Sequence, residues 1–246
     1  MKTNFLSAFI GVHRRPQLFF LLLSLLLATA ARAQDFRSVQ SPNGQLEFRL
    51  FVSQPEEGML FHLGYQLHYR GKPLLDTSYI GLDIRNQEPV LGENVGLIAS
   101  RIDNHAGYRT LNAEYMQNGS IGRRIDLEVR IWDGAVAFRY LIPRTSALEE
   151  ILIDRETTEF HLAHPPPTMP ANAPLPVTLT LPGIGRVSLS ESGVPEYPRS
   201  SLAAGPSILV TRLSNRFEGQ TPMVCPWRII ALGERPSLEI LRELSK

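Results

Sequence analysis

The chain has 246 residues, of which 43% are hydrophobic and 20% are charged, and its formal net charge is +1. The chain is long enough for one domain with a sizeable core, and its charge balance argues against nucleic acid as a partner. Cys225 is the only cysteine, so an intrachain disulfide is excluded.

The first 33 residues predict a signal peptide. Basic residues precede the apolar run Leu18–Ala28, and Ala31-Arg32-Ala33 has the small-residue pattern of a cleavage site. The run is shorter than the roughly 20 apolar residues that a membrane span needs. We therefore expect cleavage after Ala33, a mature domain of residues 34–246 without a membrane anchor, and a periplasmic or secreted location. Cleavage removes four of the 25 basic residues and no acidic one, which leaves 21 against 24, a net charge of −3.

The segments after residue 40 predict short strands that are separated by turns. Ser41-Pro42-Asn43-Gly44 and Arg70-Gly71 have the composition of turns. Residues Asn104 to Gly122 have mixed polarity, and we interpret them as a long connection. The strands predicted in this part of the chain are Leu46–Val52, Phe61–Tyr69, Ile80–Ile84 and Leu97–Ile102.

The clearest element is a hairpin over Ile125–Pro143. Apolar residues alternate with polar ones on both sides of Asp133-Gly134, and Asp-Gly favours a type I′ turn in which both central residues have positive φ. With that pair as the loop, Val129 faces Phe138 and Glu128 faces Arg139. A shift of one residue would turn one apolar face towards solvent.

The second half of the chain predicts more strands around a proline-rich segment. Leu148–Arg155 fits a short helix or a strand, and Pro165–Pro182 fits a sheet edge or a connection, because proline cannot donate to a ladder. Met223–Leu232 predicts a buried strand, and Pro236-Ser237 predicts the start of a last helix with Leu238, Leu241 and Leu244 on one side. Further strands are predicted at Val177–Leu181, Arg186–Ser190 and Ser207–Leu213.

Many short strands, Gly/Pro turns and few helical patterns together predict an all-β protein, an antiparallel β-sandwich. Motifs of known chemistry are scarce. His161 and His164 have a spacing that suits a metal, without an obvious third ligand. Cys225 lies in an apolar strand, which favours a buried side chain over a nucleophile. The carboxylate pairs Glu149/Glu150, Asp154/Glu156 and Glu191/Glu196 are candidates for acid–base chemistry only if they face each other across a cleft.

Four stretches, in this order, resemble the N-terminal β-sandwich domain of glycoside hydrolase family 97, a family of α-glucosidases and α-galactosidases. They are SPNGQLEFRL at Ser41, YQLHYRGKPLL at Tyr65, LEVRIWDGAVAFRYLIP at Leu127 and PWRIIALGERP at Pro226. The resemblance covers most of Gln40–Leu244. It implies a galactose-mutarotase-like supersandwich that packs against a (β/α)₈ barrel.

The resemblance also implies where the chemistry lies. The family's catalytic carboxylates are on the barrel, and the sequence ends at Lys246 without one, so we expect no catalytic residue here. A glutamate of the family's N-terminal domain helps to bind calcium near the active site, and Glu191 is the residue at the matching position. Calcium takes 6–8 oxygen ligands. Glu191 would therefore need a partner barrel to complete the site, and we expect no cofactor in isolation.

Three functions remain open from the sequence. A carbohydrate-binding or accessory module would present exposed aromatic rings, for which Tyr108, Tyr115 and Tyr197 are the candidates. A structural domain that docks a separately encoded glycosidase barrel would expose an apolar patch. A mutarotase-like enzyme would bring a glutamate together with one of the histidines His62, His68 and His105.

Overall fold

The computed structural model describes residues 34–119 and 121–245, and within them it has nineteen strands and one short helix. The predicted signal peptide lies outside these residues. Among the described residues, no helix is long and apolar enough to span a bilayer. The strands pair in antiparallel fashion and stack in two layers, so the predicted all-β sandwich is confirmed.

One layer is an eight-stranded sheet with the order β13-β14-β19-β9-β8-β7-β6, in which β18 also pairs with β9. Its strands are β6 (Val95–His105), β7 (Tyr108–Gln117), β8 (Arg124–Trp132), β9 (Ala135–Ile142), β13 (Val177–Leu181), β14 (Gly185–Ser192), β18 (Met223–Val224) and β19 (Trp227–Leu232).

The other layer consists of three smaller sheets. The first, β1-β2-β3-β4, contains β1 (Gln34–Gln40), β2 (Leu46–Ser53), β3 (His62–Tyr69) and β4 (Lys72–Tyr79). The second, β17-β10-β5, contains β5 (Leu82–Ile84), β10 (Glu150–Glu156) and β17 (Phe217–Gln220). The third, β11-β16-β15-β12, contains β11 (Glu159–His161), β12 (Asn172–Pro174), β15 (Ser200–Ala204) and β16 (Ile208–Leu213).

The core lies between the two layers because each inner strand face is apolar. In β2, Leu46, Phe48 and Leu50 are buried at alternate positions. The Phe138 ring of β9 lies 5.9 Å from that of Phe48, and 5.0 Å from that of Tyr65 in β3. Burial of such rings is the largest favourable contribution available to a domain that has a single cysteine and so no intrachain disulfide.

The register of the β8–β9 hairpin is confirmed from Asp126 to Leu141, with Val129 opposite Phe138. The predicted turn type is wrong, because neither Asp133 nor Gly134 has a positive φ. Tertiary hydrogen bonds hold this loop: Asn43 N donates to Asp133 Oδ1 at 2.8 Å, and Leu232 N donates to Gly134 O at 2.8 Å. Two positive φ angles occur instead in the Arg70-Gly71 turn, at 52° and 75°.

Two further segments, Asn104–Gly122 and Leu148–Arg155, contain strands. The predicted connection Asn104–Gly122 is mostly strand, since it contains the end of β6 and all of β7. In β7, Leu111, Ala113 and Tyr115 are buried between polar residues, and this alternation was the available signal. Leu148–Arg155, which was left open between helix and strand, forms β10.

The C-terminal segment folds against the outer face of the eight-stranded sheet. The predicted strand Met223–Leu232 is interrupted between β18 and β19, where Pro226 has no N–H to donate. The predicted helix is present as α1 (Leu238–Leu244), and Ser237 caps it by accepting from Ile240 N at 3.3 Å. Its buried residues are Ile240 and Leu244, whereas Leu238 is 73% exposed. The prediction that Leu238 lies on the same side of the helix as Leu244 is therefore wrong.

Candidate functional site

A charged cluster lies between the two layers of the sandwich, centred on Arg228 of β19. Arg228 pairs with Phe138 on one side and with Glu191 of β14 on the other, so its side chain points into the interior with theirs. The side chain is only 1% exposed. A guanidinium that is removed from water requires anionic partners, because an unpaired buried charge is very unfavourable.

Glu156 of β10 supplies the first partner from the opposite layer. Arg228 Nε donates to Glu156 Oε1 at 2.8 Å, and Arg228 Nη2 donates to Glu156 Oε2. The Thr158 hydroxyl donates to Oε1 at 2.6 Å, and the Tyr197 hydroxyl donates to Oε2 at 3.3 Å. This bidentate ion pair between Arg228 and Glu156 connects the two layers of the sandwich. Burial lowers the pKa of Arg228, but Glu156 and then Glu191 more than offset it, so the guanidinium stays charged.

Glu191 is the member of the cluster that reaches the surface. Arg228 Nη1 donates to Glu191 Oε2, and the backbone N–H of Ser200 donates to Glu191 Oε1 at 3.0 Å. The Glu191 side chain is 20% exposed, whereas that of Glu156 is fully buried. One guanidinium and two carboxylates leave one formal negative charge, and Glu191 presents it to solvent. The structure therefore fixes the orientation of this carboxylate, while a fifth of the side chain is exposed to solvent.

The residues of this chain do not by themselves fit a calcium ion. Calcium prefers 6–8 oxygen ligands, and no three acidic, histidine or cysteine side chains of the described residues are grouped to hold a metal. Glu191 offers one carboxylate whose two oxygens already accept hydrogen bonds. Its role as a calcium ligand stays a prediction that needs oxygen atoms from elsewhere. His161 Nε2 lies 3.2 Å from Ser207 Oγ, and His164 is exposed.

The aromatic side chains that were candidates for sugar contacts do not offer an open ring face. Tyr115 and Tyr197 are buried, which contradicts the expected exposure. Tyr108 lies in β7 between two rings, 4.6 Å from His105 and 5.2 Å from Trp132, and both pairs are stacked. A sugar ring stacks on a free aromatic face, and Tyr108 has neighbours on both of its faces.

The histidines that were candidates for a mutarotase-like reaction are separated from one another. His62 Nε2 lies 2.6 Å from Glu93 Oε1, and this is a His–Glu pair near the surface. The two groups bind each other directly, whereas an acid and a base acting on one sugar ring must each be free to reach it. Burial and then Arg49 lower the pKa of His68. His105 lies at the exposed end of β6.

The candidate carboxylate pair Asp154/Glu156 does not converge either. The two residues would share a face of a regular strand, but a register shift between Ile153 and Arg155 turns them to different sides of β10. Asp154 therefore contacts Arg85 and Arg216 at the surface, while Glu156 faces the interior. Cys225 is buried as predicted, and burial followed by Glu156 raises the pKa of its thiol, which keeps it protonated.

The family model of the glycosyl-hydrolase 97 N-terminal domain matches residues 39–170. The chain belongs to this family. No curated protein matches the sequence. The cluster around Arg228 is therefore part of a family 97 N-terminal domain. Its three charged residues lie on β10, β14 and β19, and two of them, Glu191 and Arg228, lie beyond the matched range.

Solved structures share the fold of this family 97 N-terminal domain. A glycoside hydrolase family 97 enzyme from Pseudoalteromonas sp. strain K8, solved in complex with acarbose, is 19% identical with a TM-score of 0.69, over 85% of this chain and 38% of the enzyme. A beta-arabinopyranosidase is 19% identical with a TM-score of 0.67, over 81% of this chain and 40% of its own. The chain thus spans about two fifths of the length of these enzymes.

Sequence reasoning identified Glu191, assigned no role to Arg228, and named Glu156 only as a candidate partner of Asp154. The available signal was the position of Arg228 inside a strand of otherwise apolar residues, on the face that alternates with Trp227 and Ile229. A buried arginine implies a buried acid. The sequence alone does not show which of 24 acidic residues supplies it, since Glu156 is 72 residues away.

Proposed function

We propose that this chain is an exported, non-catalytic accessory domain that supports the catalytic barrel of a family 97 glycosidase. The observation that carries the proposal is the fixed Glu191 carboxylate, held by buried Arg228 and by the Ser200 N–H with one side open to solvent. Such a group can complete a site on a second polypeptide unit without rearrangement. Preorganisation of this kind lowers the cost of association.

The charge of the cluster supports a cationic or polar partner at this point. Two carboxylates around one guanidinium leave a formal charge of −1, and only Glu191 is open to solvent. A calcium ion whose remaining oxygen ligands come from a barrel would satisfy that charge. The coverage of about two fifths of family enzymes fits a domain that acts together with such a barrel.

A carbohydrate-binding role is less well supported than the accessory role. Its three tyrosine candidates are buried or stacked on both faces. Aromatic rings that bind sugars need an open face, because the apolar side of the sugar ring lies against it. The mutarotase-like role is also less well supported. His62 and Glu93 contact each other directly, so neither is free to act as an acid or a base on a sugar.

Export to the periplasm or the medium is part of the proposal. It rests on the apolar run Leu18–Ala28 and the Ala31-Arg32-Ala33 site. Mass spectrometry of the exported protein should find a chain that begins at Gln34. A mature chain that retains Leu18–Ala28 would contradict both the cleavage site and the location.

The accessory role is tested by hydrolysis assays with two arms. In the first arm, the purified protein alone is incubated with aryl α-glucosides and α-galactosides, with and without calcium, and no turnover is expected. In the second arm, the chain is placed ahead of a family 97 catalytic barrel. There Glu191→Gln should weaken the response of hydrolysis to calcium, while Glu196→Gln, an exposed neighbour in the same segment, should leave it unchanged. Turnover by the isolated protein that disappears in either variant would contradict the proposal.

A further inference from the structure

Strand β6 forms an open edge of the eight-stranded sheet. Among the described strands, β7 is its one sheet neighbour, and β6 is eleven residues long with most of its residues exposed. Two large apolar side chains, Ile98 and Ile102, are 47% and 46% exposed on it. A long edge with unpaired N–H and C=O groups and apolar side chains pairs readily with another strand.

Among the described residues, side chains of β1 contact the first half of this edge. Asp35 Oδ2 accepts a hydrogen bond from Leu97 N at 3.0 Å, and Arg37 Nε donates to Ser100 Oγ at 2.7 Å. Both partners lie on β1, the edge strand of the opposite layer. No other described strand pairs with β6, so the part from Ile102 to His105 has no backbone partner on that side within the described residues. Phe36, between Asp35 and Arg37 on β1, is exposed.

The charges on β6 distinguish one pairing from its alternatives. Arg101 and Asp103 lie two residues apart on the same face of the strand and contact each other at 2.9 Å. A two-fold axis normal to the sheet pairs β6 with its copy in antiparallel fashion and keeps every side chain on its own face. An axis at Arg101 would place two arginines opposite each other, and an axis at Asp103 would place two aspartates opposite each other.

An axis at Ile102 gives the favourable combination. Arg101 of each copy then faces Asp103 of the other, and the two exposed Ile102 side chains meet on the opposite face. Opposite charges directly across an antiparallel pair stabilise it, and like charges destabilise it. Moving the axis to Ser100 would bring the second copy against Leu97, whose N–H is already bound by Asp35.

We propose that two copies of this chain associate through β6, antiparallel and centred on Ile102, so that their eight-stranded sheets become one continuous sheet. The interface is isologous, with the same strand contributed by both copies. Its specificity comes from the two symmetry-related Arg101–Asp103 pairs, and its apolar contact comes from Ile102. β6 and β13 are the two opposite edges of this sheet, so the proposed interface does not involve Glu191.

Charge reversal tests the pairing in solution. Sedimentation velocity of the purified protein over a concentration series should show a dimer. Arg101→Glu and Asp103→Arg should each raise the dimer dissociation constant roughly tenfold or more, because two cross-strand pairs change from attraction to repulsion. The double variant Arg101→Glu/Asp103→Arg should restore the dimer. Arg186→Glu, an exposed charge reversal on β14, should leave it unchanged.

The double variant makes the test independent of folding effects. Circular dichroism and thermal unfolding of each variant check that the sandwich is intact. A wild-type protein that stays monomeric throughout the series would overturn the proposal. This holds even if β6 pairs with a different polypeptide, because the proposed partner is a second copy of this chain. A dimer that is insensitive to both single reversals would also overturn it, since the association would then use another surface.

Discussion

Arg228 places a positive charge in the largely apolar interior of the sandwich. Its guanidinium is surrounded by Phe138, Tyr197 and Cys225 in a region where apolar side chains would suffice for packing. The two carboxylates of Glu156 and Glu191 make its burial tolerable. Replacement of such an ion group by apolar residues is often neutral or stabilising. The presence of these charges is therefore better explained by the partly exposed Glu191 carboxylate than by stability.

The buried ion pair between Arg228 and Glu156 gives a prediction about stability. Arg228→Met should lower the free energy of unfolding by about 3–5 kcal/mol, because it leaves the Glu156 carboxylate buried without its partner. Arg186→Met, which removes the exposed pair with Glu234 from the neighbouring strand, should cost less than about 1 kcal/mol. Urea unfolding of both variants measures the difference.

A double variant separates the loss of the ion pair from the loss of packing. Arg228→Met combined with Glu156→Leu removes both charges and should recover most of the stability that Arg228→Met loses. Equal effects of Arg228→Met and Arg186→Met would show that the Arg228 cluster is not desolvated as the structure indicates.

At the scale of elements, the alternation of β8 and β9 is strong enough to predict their register, while the turn between them depends on partners far away in the sequence. Asn43 and Leu232 contact the Asp133-Gly134 loop, and no local pattern reveals them. The β6–β7 hairpin was predicted only in part: Leu97–Ile102 falls within β6, but the outer half of β6 is exposed on both faces and so lacks the alternation that marks a strand end. Burial against a second layer creates the pattern from which strands are predicted.

The outer face of β8 carries a row of charges, and one of them gives a pH-dependent prediction. Asp126 shares Arg124 with Glu114, which Arg124 Nη2 contacts at 2.6 Å, while Asp126 Oδ1 is 3.6 Å away. Burial raises the pKa of Asp126 to about 6; Glu114 adds to this, and Arg124 opposes it. The protonated form is thus favoured by the folded state. Its stabilisation is complete below the ordinary pKa of 3.8 and is lost as the pH rises through about 6.

Asp126→Asn mimics the protonated form and should remove this dependence. The variant should be more stable than the wild type by about 1–3 kcal/mol at pH 7.5, and the two should converge near pH 4. Denaturant unfolding at both pH values measures the difference. A gap that is the same at pH 4 and pH 7.5 would mean that the pKa of Asp126 does not change on folding.

At the scale of the whole molecule, the fold class, the order of most strands and the family were predictable from patterning and from four ordered motifs. The candidate site was predictable only in part. Glu191 was found by resemblance, whereas its attachment to Arg228 and Glu156 depends on how β10, β14 and β19 meet across the two layers. The exposure of Tyr115 and Tyr197 was predicted wrongly because each was assigned to an irregular surface segment.

We propose that this domain presents Glu191 to a catalytic barrel and does no chemistry alone. The calcium response of glycoside hydrolysis, measured with the chain joined ahead of a family 97 barrel, tests it most directly. We expect a calcium response that weakens in Glu191→Gln and persists in Glu196→Gln, and we expect no hydrolysis by the isolated protein. A response that is the same in Glu191→Gln as in the wild type would contradict it.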